Sequence, residues 1–158
     1  MLLAVISNPE KFSGKLTYFF TGCHAYHVAW VDEGAGLIYD MNLLRRRREW
    51  PHYADATVEL WDFPEVTREY QEHRLTTDNS HYGFVDYLLF SLRALYHLIG
   101  KSTRNAAGKI CSEMVNEDML ACGVDTPWML SDAPPSPCDI RRWLMATREI
   151  HNCISTKA

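Results

Sequence analysis

The sequence predicts an α+β fold in which a small antiparallel sheet packs on helices. Three observations carry that expectation. Short apolar runs at residues 2–6, 27–31, 37–41 and 57–63 are bounded by turn residues and read as strands. The middle two flank Asp32-Glu33-Gly34-Ala35-Gly36, so they are expected to form a hairpin. Helical spacing of apolar residues marks 84–99, 109–122 and 138–145.

The elements follow in order. Leu2, Leu3, Ala4, Val5 and Ile6 are continuously apolar, as in a buried strand, and Asn8-Pro9 ends the run. Residues 12–20 are rich in aromatics and suit a short helix, with Ser13 as a candidate N-cap and Gly22 as its end. After the hairpin come four arginines, Arg45 to Arg48. They read either as an anion-binding patch or as a charged, solvated loop or strand edge, and the acidic balance of the chain favours the second. The strand at 57–63 is stopped by Pro64, and the polar stretch 65–75 suits a surface helix. The longest apolar helix candidate is 84–99, with Val85, Leu88, Leu92 and Leu95 at near-helical steps and Gly100 at its end. A polar connector, 101–108, leads to a helix that opens near Cys111, with Gly123 placed to cap it. Prolines 134, 135 and 137 then punctuate an extended segment before the closing helix.

At 158 residues the chain is expected to form one domain, 1–158, able to bury a core without staples. A net charge of -4 argues against a nucleic-acid partner. Five cysteines without a CxxC pair make a poor disulfide framework and a poor zinc knuckle, which favours a reducing compartment. The first residues lack the basic leader and apolar length of a signal peptide, and no run has membrane-spanning length. The expected location is the cytoplasm, and no cofactor is expected.

Cys111 is the residue with chemistry to explain. A thiol in the first turn of a helix meets the positive end of the helix dipole, which favours thiolate and would let it alkylate below the free-cysteine pKa of about 8.5. Val115, Met119 and Cys122 continue its stripe at helical spacing, so a packing role is the competing reading. A cysteine nucleophile needs a histidine base and a group to orient it. Of seven histidines, only His27 opens a predicted strand. A turn centred on Glu33-Gly34 would pair residues whose numbers sum to 67 and set His27 directly across from Asp40. Two other readings of His27 stay open: a histidine bonded to backbone, and a metal ligand beside Cys23, His24 and Asp40, which lacks recognised zinc spacing.

Taken in order, these features resemble the permuted papain-like cysteine hydrolases of the YiiX/YaeF kind, a circularly permuted branch of the NlpC-type clan. The residues that carry the likeness are Tyr26-His27-Val28-Ala29-Trp30, Ile38-Tyr39-Asp40, Tyr82-Gly83-Phe84-Val85-Asp86-Tyr87, Ile110-Cys111-Ser112-Glu113 and Ser136-Pro137-Cys138-Asp139-Ile140. The likeness spans nearly the whole chain. Tyr26 stands where serine is common in the family, and Asp40 where glutamate is common. The resemblance implies a permuted papain-like fold with Cys111 as nucleophile, His27 as base and Asp40 as orienting acid. It places Tyr26, Tyr82 and Ser112 against a small peptide or acyl substrate. The implied reaction is hydrolysis of an amide, with cell-wall (peptidoglycan) peptides as one candidate class. The alternatives are a lipid or thioester acyl hydrolase or transferase, and a non-catalytic binding module of the same fold.

Overall fold

Strands form where the apolar runs lie, and the order in which they pair positions everything else. The computed structural model describes residues 1–41, 44–51, 53, 55–78, 110–129 and 134–155. The helix expected at 84–99, the connector at 101–108 and Tyr82 lie outside the described residues. Within them are strands β1 (Leu2–Ser7), β2 (Ala25–Asp32), β3 (Leu37–Met41), β4 (Arg45–Glu49), β5 (Thr57–Asp62) and β6 (Ile150–Ser155). The helices are α1 (Phe12–Thr21), α2 (Arg68–Thr77), α3 (Cys111–Ala121) and α4 (Pro137–Thr147). The six strands form one antiparallel sheet in the order β4-β3-β2-β1-β5-β6.

The central strands are apolar on both faces because both faces are covered. Leu3, Val5, Val28, Trp30 and Tyr39 pack with Met114, Val115 and Met119 of α3 and with Ile140 and Leu144 of α4. Ala4, Ile6, Ala29, Val31, Ile38 and Leu60 form a second buried cluster on the opposite face, with Tyr26, Trp50 and Tyr53 packed against it. Burying one such large side chain contributes about 1.5–3 kcal/mol.

Several expectations are corrected. The hairpin pairs Trp30 with Tyr39 and Val31 with Ile38, so paired numbers sum to 69 rather than 67. The turn is two residues longer because Gly36, at φ 65°, donates its N–H to Glu33 and takes the left-handed position itself. Ser13 is not the cap of α1. Lys11 occupies that position, while Asn8 Oδ1 accepts the N–H groups of Glu10 and Lys11. β6, absent from the sequence reading, adds an edge strand to β5. Cys23 and Cys138 form a disulfide between the approach to β2 and the first turn of α4, overturning the expectation that the cysteines make no such framework. Chain spacing could not bring them together, since they are 115 residues apart.

The arginine run is an edge strand, as one of its two readings had it, but it is not simply solvated. Alternation sends its side chains to both faces. Arg45 is buried and donates to Asp118 (2.8 Å) and Gln71 (3.1 Å). Asp118 also accepts from Trp30 Nε1 (2.9 Å), Gln71 Nε2 (3.1 Å) and the Tyr70 hydroxyl (3.2 Å). This buried carboxylate therefore ties α3 to β2, β4 and α2 at once. Arg47 pairs with Glu72 at 2.7 Å, and Glu72 also accepts from the Tyr39 hydroxyl. Arg46 and Arg48 turn to the other face, toward Asp40.

Candidate active site

Cys111 is the first residue of α3, and Ile110 is its N-cap. The N–H of Ile110 is accepted by Glu113 Oε2 at 2.8 Å, so this acidic side chain fixes the helix start. The first N–H groups of a helix have no partners within it. Those of Cys111 and Ser112 act on the Cys111 sulfur, as does a backbone hydrogen bond from Val28 on β2. That last contact docks the nucleophile candidate against the residue next to His27.

His27 and Asp40 stand on one sheet face. The two-residue change in register makes them diagonal rather than direct partners, and a shift of two preserves the side on which each projects. His27 Nε2 lies 3.9 Å from Asp40 Oδ2, an ion-pair distance but too long for a hydrogen bond. Among the described residues His27 Nε2 has no hydrogen-bond partner. Asp40 is fully buried and surrounded by donors: Tyr53 donates to Oδ2 at 2.8 Å, Arg48 Nη2 is 3.2 Å from the same oxygen, and Arg46 Nε is 3.6 Å from Oδ1. Tyr53 also sets its ring against His27, with centroids 5.3 Å apart. Sequence reasoning missed Tyr53. It lies in an irregular stretch between Pro51 and β5, where no periodicity marks it.

Electrostatics reverses one expectation. The helix dipole was expected to favour thiolate at Cys111, yet burial pushes this thiol up to about 12, and the charge of Asp40 adds to the rise. The backbone N–H groups act against that rise and are outweighed. Glu117 and Asp118, acidic neighbours in sequence, are engaged elsewhere: Arg74 pairs with Glu117 at 3.4 Å, and Asp118 sits in the Arg45 network. His27 moves the other way. Burial lowers it to about 4, Asp40 partly opposes that, and Arg48 reinforces it. At neutral pH the resting site thus holds a neutral thiol and a neutral imidazole. Early alkylation of Cys111 near pH 6 no longer follows; among the described cysteines Cys153 is free and exposed, and it is the expected first target.

The remaining expected residues divide. Ser112 is buried, and its hydroxyl has no hydrogen-bond partner among the described residues. Tyr26 is half-buried beside the face that carries His27, with its hydroxyl pKa raised by burial. The metal reading of Cys23, His24, His27 and Asp40 loses its thiol, because Cys23 is in the disulfide. No group able to hold a metal ion occurs among the described residues.

No family model matches the chain, and a search of curated proteins finds no match.

Proposed function

We propose that this chain is a cysteine hydrolase of permuted papain-like fold, with Cys111 as nucleophile, His27 as base and Asp40 as orienting acid. What supports the reading is a neighbourhood: the charge of Asp40 acts on the Cys111 thiol, and His27 lies 3.9 Å from that aspartate. A helix-opening cysteine receives the backbone of Val28, and the adjacent His27 lies beside a fully buried aspartate.

The reaction is acyl transfer to water. The Cys111 sulfur attacks the substrate carbonyl carbon as its proton passes to the imidazole of His27, and that proton then goes to the leaving amine. The N–H of Cys111 stabilises the oxyanion. Water, losing a proton to the same imidazole, cleaves the thioester and restores the thiol. Starting from a neutral pair, the step needs His27 to close its 3.9 Å separation from Asp40, which raises the basicity of the ring. The substrate is a small peptide amide, cell-wall peptides included. Tyr26 and Ser112 flank it, as would Tyr82. Lipid and thioester acyl groups suit the same chemistry.

A non-catalytic binding module is the second reading. The high thiol pKa and low imidazole pKa favour it, since a resting pair so far from thiolate–imidazolium is chemically quiet. A panel of activated amides, esters and thioesters separates the two. The enzyme reading expects turnover and an acyl adduct on Cys111 by peptide mass mapping, both absent in Cys111→Ala. Inertness toward every class supports the module.

Among the described residues no helix is long and apolar enough to cross a membrane. The Cys23–Cys138 disulfide bears on the expected cytoplasmic location, because such bonds persist in oxidising compartments. A thiol count on freshly isolated protein, with and without reductant, tests this. Two thiols gained on reduction support an oxidising site of action, and no gain restores the cytoplasm.

A further inference from the structure

Tyr53 occupies the acceptor that His27 needs. Its hydroxyl donates to Asp40 Oδ2 at 2.8 Å, and Arg48 Nη2 stands 3.2 Å from the same oxygen. A carboxylate oxygen offers two lone pairs, and each already has a donor group against it. His27 Nε2 faces Oδ2 as well, but from 3.9 Å, and it has no hydrogen-bond partner among the described residues. A buried nitrogen left unpaired is costly, and here an approach of about 1 Å would pair it.

The tyrosine reaches this point from outside the two strands that carry the histidine and the acid. It belongs to no helix or strand and stands between Pro51 and β5. Its hydroxyl bonds the acid while its ring lies against the imidazole, centroid to centroid 5.3 Å. The other charged or titratable groups around the pair are Arg46 and Arg48 on β4 and Cys111 on α3, whose thiol feels the charge of Asp40. From β1 the residue paired with His27 is Ile6, which carries no charge. Of the two donors at Oδ2, only the tyrosine can be removed without changing the charge around the acid.

We propose that Tyr53 is a positioning residue that works as a latch: while its hydroxyl holds Asp40 Oδ2 the imidazole is uncoupled from the acid, and once the hydroxyl lets go His27 Nε2–H donates to Oδ2. With the proton fixed on Nε2, the lone pair of Nδ1 makes that atom the basic nitrogen of the ring. The consequence for turnover rests on the hydrolase reading; the competition for Oδ2 rests on the geometry alone.

The test is the pKa of His27, followed by NMR titration of the full chain and assigned by the signal that His27→Gln removes. Tyr53→Phe deletes the hydroxyl and keeps the ring. It should raise the His27 pKa by about one unit or more, because a carboxylate in hydrogen-bond contact favours the imidazolium. The rise should vanish when Tyr53→Phe is combined with Asp40→Asn. On the hydrolase reading the acid limb of kcat/KM should move to higher pH by the same amount, since the base must be deprotonated. A His27 pKa that Tyr53→Phe leaves unchanged or lowers overturns the latch. A rise that survives in the Asp40→Asn background also overturns it, because hydration of the pocket is then the cause. Tyr53→Met, which equally lacks a hydroxyl, carries the measurement if the phenylalanine variant does not fold. Inertness of every variant toward amides, esters and thioesters counts against the hydrolase reading alone, and the titration still decides the latch.

Discussion

Two buried aspartates, both held by arginines of β4, have opposite surroundings. Asp118 accepts four hydrogen bonds, from Trp30, Arg45, Tyr70 and Gln71, at 2.8–3.2 Å. Among the described residues Asp40 accepts a single close side-chain hydrogen bond, from Tyr53, and its three cationic or titratable neighbours stand at 3.2, 3.6 and 3.9 Å. Its Oδ1 accepts no hydrogen bond among the described residues. A carboxylate with all its lone pairs engaged fixes a structure, because any movement breaks several bonds together. A carboxylate held with slack can change partners, which an acid that orients a catalytic histidine must do. Both sites use the same two residue types; on the proposed reading, the satisfaction of the acceptor separates a fastener from a working group.

The largest expected effect breaks the fastener. Asp118→Ala takes four hydrogen bonds from the network and leaves buried Arg45 with Asp78, 3.4 Å from its Nε, as its described carboxylate partner; it should cost about 3 kcal/mol by chemical denaturation. A cost no greater than that of the matching change at Asp40 would erase the distinction between the two sites.

Next is pH. His27 is held down to about 4 in the fold, against an ordinary value of 6.5. The unfolded chain therefore takes up a proton on acidification before the folded one does. This contribution to stability is complete above about pH 6.5, declines as pH falls toward 4, and is worth up to about 3 kcal/mol. His27→Gln should flatten that acid limb of the stability profile. A profile unchanged by the substitution would mean that His27 is not held neutral.

A smaller effect is expected at Asp40 itself. Asp40→Asn keeps the shape and the Tyr53 contact; Arg46 is half-exposed and able to turn to water, and the amide oxygen can still face Arg48, 3.2 Å away. The cost should be about 1 kcal/mol or less. Hydrolysis should fall, but by less than in His27→Ala, since the base is misoriented rather than removed.

The smallest stability effect belongs to Cys111→Ala. On the hydrolase reading Cys111 is a thiol not optimised for packing, so the melting temperature should stay nearly level while turnover vanishes. A loss above about 1 kcal/mol would mark an ordinary core cysteine.

The parts legible in the sequence were those with local signals. β1, β2, β3 and β5 announce themselves as apolar runs, and α3 and α4 begin and end close to where their punctuation places them. His27 and Asp40 share a face despite the wrong register, because an error of two residues is invisible to an alternation of two. The failures have non-local causes. β6 reads Ile150-His151-Asn152-Cys153-Ile154-Ser155, too polar to alternate, because it sits at a sheet edge. The disulfide and Tyr53 depend on segments that meet only after folding. The helix-dipole argument for Cys111 was sound in sign, and desolvation, which no local pattern reveals, outweighs it.

The four consecutive arginines of β4 have one further consequence. A run of identical side chains is blind to its own alignment: slide it by one place and an arginine still occupies most of the slots facing each aspartate. Charge pairing therefore cannot be what sets this strand in place. The responsibility passes to the end of the run, where Trp50 donates its N–H to the Gly36 carbonyl at 2.9 Å and anchors the strand against the hairpin turn. The turn that sequence reading misplaced by two residues is thus the ruler against which both aspartates receive their arginines.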